Sequence, residues 1–168
     1  MKYIFSFIFW LWGWKIVGDL PWKENKYIII VAPHTTNWDF FIGVLVRGIM
    51  GFHSKFLGKR SLFKPPYGWF FKMMGGYPVD RSKSTNLVDQ VVDIYNHHER
   101  FVVAIAPEGT RKKVTEWKTG FYYIAHKSGI PIVRAKMDWK NKQVVFFEPF
   151  WTTGNIQRDL PKIREGYA

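Results

Sequence analysis

His34 and Asp39 are the pair in this chain best suited to moving a proton. They lie in the block Pro33-His34-Thr35-Thr36-Asn37-Trp38-Asp39, where an imidazole that can act as a base near neutral pH is followed, five positions on, by a carboxylate able to orient it. A second block, Pro107-Glu108-Gly109-Thr110-Arg111, joins a glycine turn to a hydroxyl and a planar guanidinium, groups that suit phosphate oxygens. A base, its orienting partner and an anion clamp are the parts required for transfer to a hydroxyl on a phosphorylated substrate. A third block, Gly75-Gly76-Tyr77-Pro78-Val79-Asp80-Arg81, ends in another guanidinium, and a fourth, Gly129-Ile130-Pro131-Ile132-Val133, enters a strand.

These blocks need a scaffold that presents them together. Short apolar strands alternate with helix-length segments, the pattern of an α/β layer fold: one domain with a central, mostly parallel or mixed sheet flanked by helices. Residues 27–32 (YIIIVA) form an apolar β-branched run, as a buried central strand does, and Pro33 ends it. Residues 101–106 (FVVAIA) form a second such run, directly before Pro107. Both chemical blocks therefore open from strand ends, where ligands bind in open α/β sheets. Helices are expected over 38–50, 84–97, 119–128 and 156–165, and further strands over 55–58, 130–137 and 143–147. Residues 67–74 read as a loop end and a short, very apolar helix, whose residues 69–74 could line a substrate groove but are expected to be core.

On a continuous helix a five-residue step turns about 500°, leaving two side chains some 140° apart. His34 and Asp39 meet only if the histidine is in the loop and the carboxylate in the first helical turn. Taken alone, the pair also fits a strand-end turn whose Asp39 merely complements the helix dipole. Glu108 is a poor phosphate ligand and is expected to orient Arg111 or its loop.

Composition narrows the surroundings. The 168 residues include no cysteine, so disulfides, thiolate zinc sites and a thioester on the enzyme are excluded. Twenty-five Lys and Arg against thirteen Asp and Glu give a net charge of +12, which draws the chain toward polyanions. Nine Trp, eight Tyr and fifteen Phe accompany that charge, a mixture that suits the water–lipid boundary. No basic recognition helix or zinc module favours nucleic acid. The scattered His53, His97, His98 and His126 do not suggest a metal site, and no nucleotide-binding glycine loop occurs.

Residues 1–18 are expected to form an interfacial membrane-anchor helix ahead of a catalytic domain over 19–168. The apolar stretch reads MKYIFSFIFWLWGWKIVG, with Lys2 and Lys15 at its flanks and no small-x-small cleavage site after it. A helix of about 15 residues spans roughly 22 Å, short of the ~30 Å hydrocarbon core, so it would lie in one leaflet. Packing on the domain itself is the alternative.

The four blocks, in this order and spacing, resemble the glycerolipid acyltransferase family with the His-x4-Asp motif, typified by the 1-acylglycerol-3-phosphate acyltransferases. The resemblance runs from about Val31 to Val133. It implies that His34 and Asp39 are catalytic and that Arg81, Glu108, Gly109, Thr110 and Arg111 bind the acceptor phosphate. It also implies acyl-CoA or acyl-carrier protein as donor, a membrane lysophospholipid as acceptor, no cofactor or metal, and monotopic attachment to an anionic membrane at the cytoplasmic face. Four positions depart from the common pattern: Pro33, Pro78, Ala106 and Arg134, the last of which could extend the anion site. An acyltransferase for a lyso-aminolipid, a lipid or thioester hydrolase using the same pair on water, and a non-enzymatic membrane-binding module are the other readings. The absence of a Gly-x-Ser-x-Gly elbow disfavours a serine hydrolase.

Overall fold

A computed structural model describes residues 2–80, 84–110 and 114–167, without the side chains of 84–86. The chain begins with helix α1 (Lys2–Leu11) and strand β1 (Lys15–Val17), then β2 (Lys26–Ala32) and α2 (Trp38–Met50). Strand β3 (Ser54–Lys59), a 3₁₀ turn (Arg60–Phe63), α3 (Gly68–Met73) and β4 (Gly76–Val79) follow. The second half holds α4 (Ser84–His97), β5 (Phe101–Ile105), α5 (Gly120–Ser128), β6 (Ile132–Asp138), β7 (Gln143–Phe146) and α6 (Ile156–Glu165).

The seven strands form one mixed sheet in the order β1-β7-β6-β2-β5-β3-β4. β2 is hydrogen-bonded to β5 and β6, both parallel, and only the β6–β7 pair is antiparallel. Interior placement explains the unbroken apolar run of β2, because helices cover both faces. Ile29 joins a core with Phe9, Ile42, Val46 and Ala135, on the side of α1 and α2. Ile28 and Ile30 join Val91, Tyr122, Ile124 and Ile163, on the side of α4, α5 and α6.

β2, β3, β4, β5 and β6 are parallel, so their carboxyl ends share one edge of the sheet. The helices after β2 and β5 cover opposite faces, which makes the crevice between these two strand ends a topological switch point. α2 begins directly above it. It ends at Gly51, whose left-handed φ of 76° lets its N–H reach the Arg47 carbonyl.

Two sequence expectations change here. The N-terminal helix stops at Leu11 instead of reaching residue 18, because the chain turns at Gly13 (φ 74°) and residues 15–17 enter the sheet as β1. One face of α1 packs on the domain: Phe9 is buried, and Phe5 lies against α2 where Gly48 leaves it room. The opposite face exposes Tyr3, Phe7 and Trp10. The segment 67–74 is not core. Trp69 and Met73 of α3 are 67% and 64% exposed, while Phe70, Phe71 and Met74 line a cavity.

Candidate active site

His34 leaves the end of β2 in a loop that begins with a cis Ala32–Pro33 bond, and Asp39 occupies the first turn of α2. The bend brings them together, with His34 Nδ1 3.0 Å from Asp39 Oδ2. The same oxygen accepts the backbone N–H groups of Thr35 and Thr36, each at 2.9 Å. Oδ1 accepts the indole Nε1–H of Trp139 at 2.7 Å and the Thr36 hydroxyl at 3.4 Å. Asp39 is only 3% exposed, whereas the His34 side chain keeps 26% of its surface open.

Burial pushes the Asp39 carboxyl up, but hydrogen bonds from His34, Thr36 and Trp139 outweigh it and hold the group below the ordinary carboxylate range. An ionised carboxylate only accepts, so the proton of neutral His34 sits on Nδ1. Nε2 is then the nitrogen with a lone pair, the state required of a general base.

The second block meets the first through Glu108. Its Oε2 accepts the backbone N–H of His34 at 2.7 Å, so the carboxylate steadies the histidine loop. The sequence sets Glu108 to orient Arg111 or its own loop, and the resemblance sets it in the phosphate site; its described partner is the His34 loop, a role that avoids setting like charges together. Gly109 turns with φ 63°, and the chain of Lys118 lies across it: a Cβ on Gly109 would stand 2.8 Å from Lys118 Cδ and Cε and 3.0 Å from Nζ. Lys118 is tied to this turn by its own N–H, which donates to the Pro107 carbonyl at 2.8 Å. Gly109 and Thr110 are exposed beside it. Arg81 and Arg111 lie outside the described residues.

Arg134 does not extend this site. β6 alternates, so Ala135 and Met137 face the α2 side while Arg134 points the other way. Its guanidinium donates to the Lys162 carbonyl at 3.2 Å and stacks 5.0 Å from the Phe147 ring centroid.

Beneath His34 a cavity of about 630 Å³ runs along the underside of α2. Phe40, Gly43, Arg47, Phe70, Met74 and Ala135 are among its walls. Arg47 ties down the far end, donating at 3.2 Å each to the carbonyls of Ser54 and Met74. The site thus combines an oriented imidazole, an apolar channel below it and a cation on the neighbouring turn. Trp139 and Lys118 are missed by sequence reasoning, and the channel is expected there only as a groove that residues 69–74 could line. The available cue is that Trp139 lies just past a strand end, as His34 and Glu108 do within a few residues of theirs.

A family model described as Acyltransferase matches residues 15–137. The 1-acyl-sn-glycerol-3-phosphate acyltransferase of Saccharomyces cerevisiae is 30% identical over 128 residues, covering 71% of this chain and 41% of that protein. The protein of the same name from Streptococcus pneumoniae is 28% identical over 135 residues, covering 71% and 47%. The chain therefore spans less than half the length of these curated relatives. The crystal structure of the 1-acyl-sn-glycerophosphate (LPA) acyltransferase PlsC from Thermotoga maritima is similar with a TM-score of 0.64, covering 98% of this chain and 74% of that one at 19% identity. That last likeness is one of fold.

Proposed function

The chain belongs to the acyltransferase family, and from that membership we propose that it moves a fatty acyl group from a thioester donor to the free hydroxyl of a lysophospholipid, foremost 1-acyl-sn-glycerol-3-phosphate, giving phosphatidic acid. The observation that carries the reading is the His34–Asp39 pair standing over an apolar channel at the switch point of the sheet.

His34 Nε2 takes the proton of the acceptor hydroxyl as that oxygen attacks the thioester carbonyl. Asp39 stabilises the imidazolium that forms. The tetrahedral intermediate then collapses, the C–S bond breaks, and His34 returns the proton to the departing thiolate. A positioned base of this kind contributes about 10²–10⁴-fold. The acyl chain occupies the channel under α2, whose walls are largely apolar. Backbone N–H groups of His34, Thr35 and Thr36 are already held by carboxylates, so they are not oxyanion donors. Gly109, Thr110 and Lys118, with Arg81 and Arg111 assigned from sequence, form the acceptor-phosphate site. The donor is acyl-CoA or acyl-carrier protein; both are acidic and suit the +12 charge.

The same proposal places the protein on a membrane. No helix among the described residues is long and apolar enough to cross one. The described surface instead exposes aromatic side chains: Tyr3, Phe7 and Trp10 on α1, Trp38 and Phe41 on α2, Trp69 on α3, with Phe41 also at the channel wall. Exposed Lys64 and Lys72 accompany the α3 group, the pairing of rings and cations that favours an anionic headgroup layer. The test is mass-spectrometric: purified protein is given acyl-CoA or acyl-carrier protein with lysophosphatidic acid, other lysophospholipids and lyso-aminolipids in turn. Phosphatidic acid as the main product supports the reading. Free fatty acid released without any acceptor would replace it with a hydrolase.

A further inference from the structure

We propose that Trp139 is a positioning residue for the His34–Asp39 pair, and that the N-terminal segment holds the pair in register through it; this rests on the acyl-transfer reading above. Trp139 opens the β6–β7 turn, and β6 is the neighbour of β2 on the side away from β5. The pair is thus braced from both adjacent strand ends, by Glu108 on the His34 backbone and by Trp139 on the Asp39 carboxylate.

The indole hydrogen bond differs in kind from the other contacts to Asp39. Thr35, Thr36 and His34 reach Asp39 from within the loop that must itself be held; all three bond Oδ2, and on Oδ1 that loop supplies only the long 3.4 Å contact of the Thr36 hydroxyl. Trp139 comes from a separate element and binds Oδ1 at 2.7 Å, which sets the rotation of the carboxylate plane. A donor to an ionised acceptor makes a strong, short bond, so this one resists rotation of the group that orients the imidazole.

Trp139 is itself anchored from the N-terminal side. The buried Trp14 ring stands 4.9 Å from it at 89°, edge to face, and Phe9 of α1 stands 6.0 Å from Trp14. Asp138 caps the turn by accepting the Asn141 N–H and side-chain amide at 3.0 and 2.8 Å. Lys142, at the end of that turn, donates Nζ to the Trp12 carbonyl at 3.1 Å and accepts the Lys15 N–H at 2.9 Å. Trp12 also meets Trp38, the residue before Asp39, with centroids 6.1 Å apart. The segment that follows α1 therefore touches Trp139 through Trp14, and the chain neighbour of Asp39 through Trp12.

Three variants separate the indole donor from simple bulk. Trp139→Phe keeps a ring against Trp14 but removes the N–H, and kcat should fall about tenfold with KM within about twofold. Trp139→His is smaller, yet its Nε2 takes the place of the indole Nε1, so it should recover about threefold or more of that loss. Trp14→Leu should lower kcat about threefold, and combined with Trp139→Phe it should add little, because both act along one route. Thermal melts confirm that each variant is folded at the assay temperature. Wild-type kcat in Trp139→Phe, or a Phe variant faster than the His variant, overturns the proposal. Should Trp139→Phe not fold, full kcat in Trp14→Leu overturns it, and a selective loss of kcat supports it. Wild type and His34→Ala are assayed alongside: no acceptor-dependent transfer by the wild type defeats the acyl-transfer reading itself, full transfer by His34→Ala defeats His34 as the base that Trp139 would position, and an inactive His34→Ala beside an unaffected Trp139→Phe defeats only the role of Trp139.

Discussion

Asp39 gathers hydrogen bonds on both oxygens in a buried position, and its carboxyl is held below the ordinary range as a result. A depressed folded-state pKa stabilises the fold above the unfolded value, about 3.9, and that contribution is lost as pH falls through the lower folded value. Asp39→Asn replaces one acceptor oxygen with a donor that faces N–H groups, and should cost about 1–3 kcal/mol near neutral pH. Its deficit against wild type, measured by urea unfolding, should shrink below about pH 4 as the wild-type carboxyl protonates. An equal deficit at pH 3 and pH 7 would contradict this electrostatic role. His34, Asp39 and Gly109 were legible in the sequence because their types and their places after apolar strands carry a chemical signal. Trp139 and Lys118 were not, since their value comes from strand order and from a chain folding back over a turn. Glu108 was legible as a carboxylate just past a strand end but not in its contact, which spans 74 positions.

At the scale of elements, the helices Trp38–Met50, Ser84–His97 and Ile156–Glu165 appear over the residues expected, because each combines a helical apolar period with a recognisable boundary. β1 and β4 escaped notice; strands of three and four residues are too short to show a period of two. The segment around α3 misled for a different reason. Apolar side chains look alike in sequence whether protein, a vacant channel or an outer surface receives them, and here Phe70 faces the channel while Trp69 faces outward. Gly43 shows what the channel needs of α2. It lies one turn from both Asp39 and Arg47, lines the cavity, and a Cβ there would meet nothing within 4 Å. Gly43→Phe should fill that space and cut kcat/KM for long acyl donors about tenfold or more, leaving short donors within about threefold. An unchanged chain-length profile would remove the channel from donor binding.

Across the whole molecule, the sheet topology sets the two chemical blocks side by side, and exposed rings stand on α1, α2 and α3. α/β architecture was readable from the alternation of strands and helices. The strand order, which makes β6 and β5 the flanks of β2, was not, because pairing partners are remote in the chain. On the proposed function, Tyr3, Phe7 and Trp10 contact lipid while Phe5 and Phe9 hold α1 to the domain. Replacing those three exposed residues with Ser should weaken co-sedimentation with anionic liposomes about tenfold or more, and added salt should weaken it further. Binding that survives unchanged would move the docking face elsewhere. The most direct measurement remains acyl transfer itself, followed as phosphatidic acid formed from lysophosphatidic acid by the purified protein and by a folded His34→Ala variant. The expected result is acceptor-dependent product from the wild type and a loss of about 10²-fold or more in the variant. A folded variant that transfers at the wild-type rate would contradict the central claim that the His34 imidazole is the base.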